Sequence, residues 1–146
     1  MTALAHILNA KPDKTVYAVA PAASVFDAVK LMAEKGIGAL LVTEGETIVG
    51  IITERDYARK IVLLGRSSKE TPVHEIMTSP VMYVRLDQTS DECMALMTEN
   101  RLRHLPVLDG RTLIGLVSIG DLVKDIISEQ RIVIEHLTHY IMGEHG

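Results

Sequence analysis

The chain reads itself twice. Residues 16–61 lie over residues 81–126 at a constant offset of 65, without a gap, and 12 of the 46 aligned pairs are identical. The shared residues include Gly45/Gly110, Gly50/Gly115 and Asp56/Asp121. Each copy ends on one short pattern: Gly50-Ile-Ile-Thr53-Glu-Arg-Asp56, then Gly115-Leu-Val-Ser118-Ile-Gly-Asp121. A duplication of this length implies two similar supersecondary units that bury their apolar faces against each other. It also implies two similar clefts related by a pseudo-two-fold axis.

Composition narrows what those units can be. Hydrophobic residues are 47% of the 146, enough for a sizeable core and too many for a disordered chain. The apolar runs at 37–42 and 48–52 fall far short of the roughly 20 residues that span a bilayer. The start, Met-Thr-Ala-Leu-Ala-His-Ile-Leu, lacks the basic opening and long apolar stretch of a signal peptide. A cytoplasmic protein is expected. The single cysteine, Cys93, excludes an internal disulfide, and its place opposite Ala28 on an inner helical face reads as a small buried hydrophobe. A net charge of −4 with both signs intermixed leaves no basic stripe for nucleic acid. With five aromatics (Phe26, Tyr17, Tyr57, Tyr83 and Tyr140), base stacking is poorly served. A flat ring would have to lie between aliphatic side chains.

The elements follow one order in both copies. Short strands are predicted at 16–19 and 81–84. Ser24-Val-Phe-Asp27 and Thr89-Ser-Asp-Glu92 place a hydroxyl and, three residues on, a carboxylate, a capping-box spacing. Helices then run to about Lys35, where Gly36 ends the first, and to about Asn100. Strands at 39–43 and 105–108 return as 48–52 and 113–117 through Glu44-Gly45 and Asp109-Gly110. A second helix closes each copy, from about Glu54 to Leu64 and from Ile119 onward. The fold class is therefore α+β, as two β-α-β-β-α repeats about a pseudo-two-fold axis. The segments are 7–64, a first repeat with an N-terminal helix; 65–72, a polar linker; 73–127, a second repeat opening on a short helix at 73–77 that Ser79-Pro80 breaks; and 128–146, a helical extension. Along that last helix Leu122, Ile126, Val133, Leu137 and Tyr140/Ile141 fall near one face, widened by Val123, Ile127 and Ile134. The stripe exceeds what an internal core needs, so a homodimer contact is expected.

The duplicated unit, with Gly-x-x-Thr/Ser-x-x-Asp opening its final helix, resembles the CBS domain, and two in tandem resemble a CBS pair, or Bateman module. The resemblance covers roughly residues 7–127 and extends to Ile76-Met77-Thr78 and to Leu102-Arg103-His104-Leu105-Pro106-Val107. It implies binding of adenine nucleosides and nucleotides, among them AMP, ADP, ATP, NAD or S-adenosylmethionine, as regulatory ligands rather than catalytic cofactors.

The chemistry of the motif suits that role. A carboxylate at a helix N-terminus can accept from both the 2′- and 3′-hydroxyls of a ribose, and the helix's positive end favours a nearby phosphate. The ribose-binding pairs would be Asp56 with Thr53 and Asp121 with Ser118. Gly50 and Gly115 would let backbone approach the ligand. The same pairs are good capping boxes, and capping is compatible with binding. The resemblance implies that each cleft draws on both repeats. The Asp121 site would take Thr15, Val16, Tyr17, Ile37 and Gly38; the Asp56 site would take Pro80, Val81, Met82, Leu102 and Arg103.

The two copies differ at the phosphate end. Arg55 stands beside Asp56 where the second copy has Gly120, while Arg101, Arg103 and His104 replace Gly36, Gly38 and Ala39. The sites are therefore expected to be unequal. An alanine at Asp56 or Asp121 is expected to weaken one site roughly 10- to 100-fold.

An enzyme is not expected. No serine sits in a nucleophile elbow, and neither a P-loop nor a dinucleotide-type glycine fingerprint is present. His136, His139 and His145, without a cysteine pair, read as surface composition and not as a metal site. The expectation is a regulatory adenine-nucleotide sensor whose output passes to a separate, unidentified effector protein, with no role for nucleic acid or membrane. The alternative is a dimeric CBS-fold scaffold that acts through its C-terminal helix.

Overall fold

A computed structural model of the protein describes residues 2–142. Alternating strand and helix signals resolve into two units, Thr15–Met82 and a second made of residues 2–14 with 83–142. Each is an α+β layer with one three-stranded sheet, in the orders β1-β2-β3 and β4-β5-β6.

In the unit Thr15–Met82, β1 (Ala18–Val19) runs parallel to β2 (Ala39–Glu44), which turns back through Gly45 (φ 60) into antiparallel β3 (Thr47–Thr53). The crossover is α2 (Val25–Lys35). The Ser24 hydroxyl accepts from the Asp27 N–H at 3.1 Å, and Gly36 at φ 65 ends the helix. β2 is buried from Ala39 to Val42, which explains its unbroken apolar run. The helix expected at 54–64 opens as α3 (Glu54–Tyr57) and changes at Ala58 to π hydrogen bonding as far as Val62. The expected short helix at 73–77 is a single 3₁₀ turn, Val73–Glu75. Val73 and Ile76 join Val25, Ala28, Met32, Leu40, Val42, Ile52 and Ile61 in one core.

The second unit repeats the plan with β4 (Val84–Arg85), α4 (Ser90–Asn100), β5 (His104–Asp109), β6 (Thr112–Ser118) and α5 (Ile119–Ile141). Its core joins Val84, Cys93, Met97, Leu105, Val107, Val117 and Leu122 with Leu4 and Ile7 of α1 (Leu4–Ala10). The Leu4 N–H donates to the Gln88 carbonyl at 2.9 Å, and the Ser90 N–H donates to that of Thr2 at 2.7 Å. The units are thus cut differently from the sequence segments 7–64 and 73–127. The N-terminal helix sits with the second repeat, and the 73–77 turn sits with the first. Each core is closed by the segment that precedes the other repeat along the chain.

Burial pushes the Cys93 thiol up to about 11, so it stays protonated and inert, as a small hydrophobe would. The strands expected at 16–19 and 81–84 are shorter, two paired residues each. Gly50 and Gly115, expected to admit a ligand, make room for the protein itself. A Cβ on Gly50 would strike the Met77 thioether, and one on Gly115 would lie 2.9 Å from both Leu8 methyls.

Arg101 closes α4 in the left-handed conformation, φ 55, where its repeat partner Gly36 has φ 65. A side chain in that region costs about 1–2 kcal/mol. Arg101→Gly should therefore raise stability by about 1 kcal/mol, read as a higher urea midpoint at unchanged slope.

Candidate functional site

Thr53 is the last residue of β3 and the N-cap of α3. Extended backbone at φ −124 leaves its side chain beside the first turn. The Asp56 N–H donates to Thr53 Oγ1 at 3.1 Å, while Asp56 Oδ2 accepts from the Thr53 N–H at 3.0 Å and from its hydroxyl at 3.1 Å. Asp56 is buried, 7% exposed. Its other oxygen, Oδ1, meets Lys60 Nζ at 3.1 Å and the Thr78 hydroxyl at 3.3 Å. Lys60 also donates to the Ile76 carbonyl at 2.8 Å. Thr78 is fixed by a two-way backbone pairing with Ile51, and the Glu54 N–H donates to the Gly38 carbonyl at 3.1 Å.

The second unit builds the same box on Ser118 and Asp121 at the start of α5. The Asp121 N–H donates to Ser118 Oγ at 3.1 Å, and the Ser118 N–H donates to Asp121 Oδ2 at 2.8 Å. The Ile119 N–H donates to the Arg103 carbonyl at 2.9 Å, the counterpart of the Gly38 contact. The cation is different. Lys11, just past α1, reaches Asp121 Oδ2 at 3.0 Å and donates to the Leu116 carbonyl at 2.9 Å.

His104 lies opposite Ser118 on β5 and is half-buried. Burial lowers its pKa from 6.5; the Asp121 carboxylate pulls it up, while Lys11 and Arg103 push it down. The net depression means that protonating His104 costs folding energy. Its contribution is whole above about pH 6.5 and is lost as pH falls through the lowered folded value. Denaturation midpoints between pH 7.5 and 5 should therefore fall further for wild type than for His104→Gln, and parallel profiles would refute this.

The expected site residues divide between the units. Thr15, Val16, Tyr17, Ile37, Gly38, Thr53, Arg55, Asp56, Pro80, Val81 and Met82 lie in one; Leu102, Arg103, His104, Ser118 and Asp121 lie in the other. Thr53, Asp56 and Gly38 come together, as do Ser118, Asp121, Arg103 and His104. Arg55, Thr15 and Pro80 are exposed. Sequence reasoning missed Lys60, Thr78 and Lys11 as members of these clusters. The spacing of Lys60, four residues after Asp56 on one helical face, was the available signal. Nothing local points from Lys11 to a carboxylate 110 positions away. His145 lies outside the described residues. Among the described residues no group of three His, Cys, Asp or Glu could hold a metal ion, and no helix is long and apolar enough to cross a membrane.

Duplicated three-stranded sheets, each leading into a helix capped by Thr or Ser with Asp, define a tandem CBS pair. Residues 6–63 and 73–128 match the model of the CBS domain, and the chain belongs to that family. It is 45% identical over 125 residues to the CBS domain-containing protein CBSX3, mitochondrial, of Arabidopsis thaliana, covering 82% of this chain. It spans 61% of that relative's length. Among solved structures, a candidate signal-transduction protein with CBS domains from Burkholderia ambifaria MC40-6 is 66% identical, with a TM-score of 0.86 over 88% of this chain and 96% of the other. A hexameric CBS-CP12 protein from bloom-forming cyanobacteria is 31% identical, with a TM-score of 0.75 over 84% and 70%.

Proposed function

We propose that the chain is a regulatory, non-catalytic sensor of adenine nucleotides, taking AMP, ADP, ATP or NAD by the ribose at its capping carboxylates. The observation that supports this reading is the pair of aspartates, Asp56 and Asp121, at equivalent helix starts, each beside a hydroxyl residue and an ammonium. An ionised carboxylate only accepts hydrogen bonds, and a ribose diol brings two donors. A cytoplasmic setting and an effector carried on another protein belong to the same reading.

The test is a thermal-shift panel of AMP, ADP, ATP, NAD, NADH and S-adenosylmethionine. A ligand at 100 times its dissociation constant adds about 2.7 kcal/mol. AMP should outperform its 2′-deoxy form. Equal affinity for the two would remove the ribose from the account, and no shift with any of the six would remove the nucleotide.

A second reading, self-association as a scaffold, draws on the outer face of α5. Val133, Ile134, Leu137 and Ile141 are 55–78% exposed there. Such a row is costly in water, and a second copy of the chain would cover it. The CBS-CP12 relative is hexameric. Sedimentation velocity should give more than a monomer for wild type and a monomer for Ile134→Lys/Leu137→Lys. A monomeric wild type refutes this reading.

A further inference from the structure

Resting on the nucleotide reading, we infer that the two aspartates have parted roles: Asp56 is closed by the chain's own donors, and Asp121 alone takes the ribose, so that one nucleotide binds per chain.

A carboxylate offers about four acceptor positions. Asp56 receives four donors, from the Thr53 N–H, the Thr53 hydroxyl, Lys60 and Thr78. Asp121 receives two, from the Ser118 N–H and Lys11, and both reach Oδ2. Among the described residues Oδ1 accepts no hydrogen bond, so two acceptor positions stand open, the number a cis-diol fills.

The repeat register explains the difference. Carried outward at the same offset of 65, Thr78 falls opposite Asp13 and Lys60 opposite Asp125. In this register the two donor residues of the first repeat stand opposite carboxyl residues. Asp125, one helical turn beyond Asp121, has a buried Oδ2 without a hydrogen-bond partner, a second acceptor short of a donor. Lys11 leaves Oδ1 open because it reaches Oδ2. Like Lys60, which also serves the Ile76 carbonyl, it donates to a backbone carbonyl, that of Leu116, the position that Thr78 backbone serves on Ile51 in the first repeat.

The experiment is calorimetric titration of AMP, and of whichever nucleotide shifts the melting most, into the full chain and its variants. Wild type should bind one equivalent. Asp121→Ala should weaken binding about 10-fold or more. Asp56→Asn, which keeps an acceptor for the Thr53 N–H, should weaken binding less than Asp121→Asn does. Thr78→Val should do the same. Two equivalents per chain, or a loss with Asp56→Asn that Asp121→Ala does not share, overturns the division of roles and leaves the nucleotide reading standing. No heat from wild type with any nucleotide overturns that reading itself, and this inference with it.

Discussion

Leu4→Ala/Ile7→Ala should unfold the unit that contains the second repeat while the Thr15–Met82 unit keeps its core. Both side chains are buried, at 0% and 4% exposure, among Val84, Met97, Leu105 and Leu122. Each truncation alone costs about 2–5 kcal/mol, from lost transfer energy and an unfilled cavity. The two sites touch one cluster and will not add strictly, yet about 5 kcal/mol or more is comparable with the whole stability of a small domain. Amide exchange resolved along the chain is the measurement. Protection should be lost across β5, β6 and the start of α5 and retained in β2 and β3. Uniform loss over both repeats, or none, contradicts the packing described.

Asp56→Ala is expected to cost about 3 kcal/mol, and Asp121→Ala less, in the absence of any ligand. Both lose a cap, worth about 1 kcal/mol. Asp56→Ala strands four part-buried donors and Asp121→Ala two, at about 1–3 kcal/mol for each group left wholly unpaired. Lys60 softens the loss because its ammonium can turn to water; its side chain is 41% exposed. Urea midpoints measured side by side decide this, and equal losses would mean that the four bonds to Asp56 carry no more than the two to Asp121.

Much of this was legible in the sequence because the repeat supplied its own control. Capping residues, hairpin glycines and the extent of α2 and α4 follow local rules, and each was announced twice at the same offset. Three things were not legible. The strands that open each repeat shrink to two paired residues, since pairing depends on a neighbour and not on β-propensity. The turn at Ala58 becomes π although 58–62 has no glycine or proline to mark it. The roles of Gly50 and Gly115 depended on Met77 and Leu8, whose approach is set by packing alone. The candidate site divides along the same line. Thr53/Asp56 and Ser118/Asp121 are three-residue patterns, and Lys11 and Thr78 come from chain far away.

The interleaving of α1 with the second repeat has a consequence for how the protein is made. Leu4 is translated before its packing partner Leu122, which follows 118 positions later. At about 5–20 residues per second, that is roughly 6 to 24 seconds of synthesis. Throughout that interval the N-terminal helix has an apolar face and no core to bury it. The first repeat, by contrast, can close as soon as Val73 and Ile76 emerge. The order of assembly is thus the reverse of the order of translation for α1. A nascent chain halted between residues 82 and 122 would carry one finished unit and one exposed helix, a substrate for chaperones and proteases.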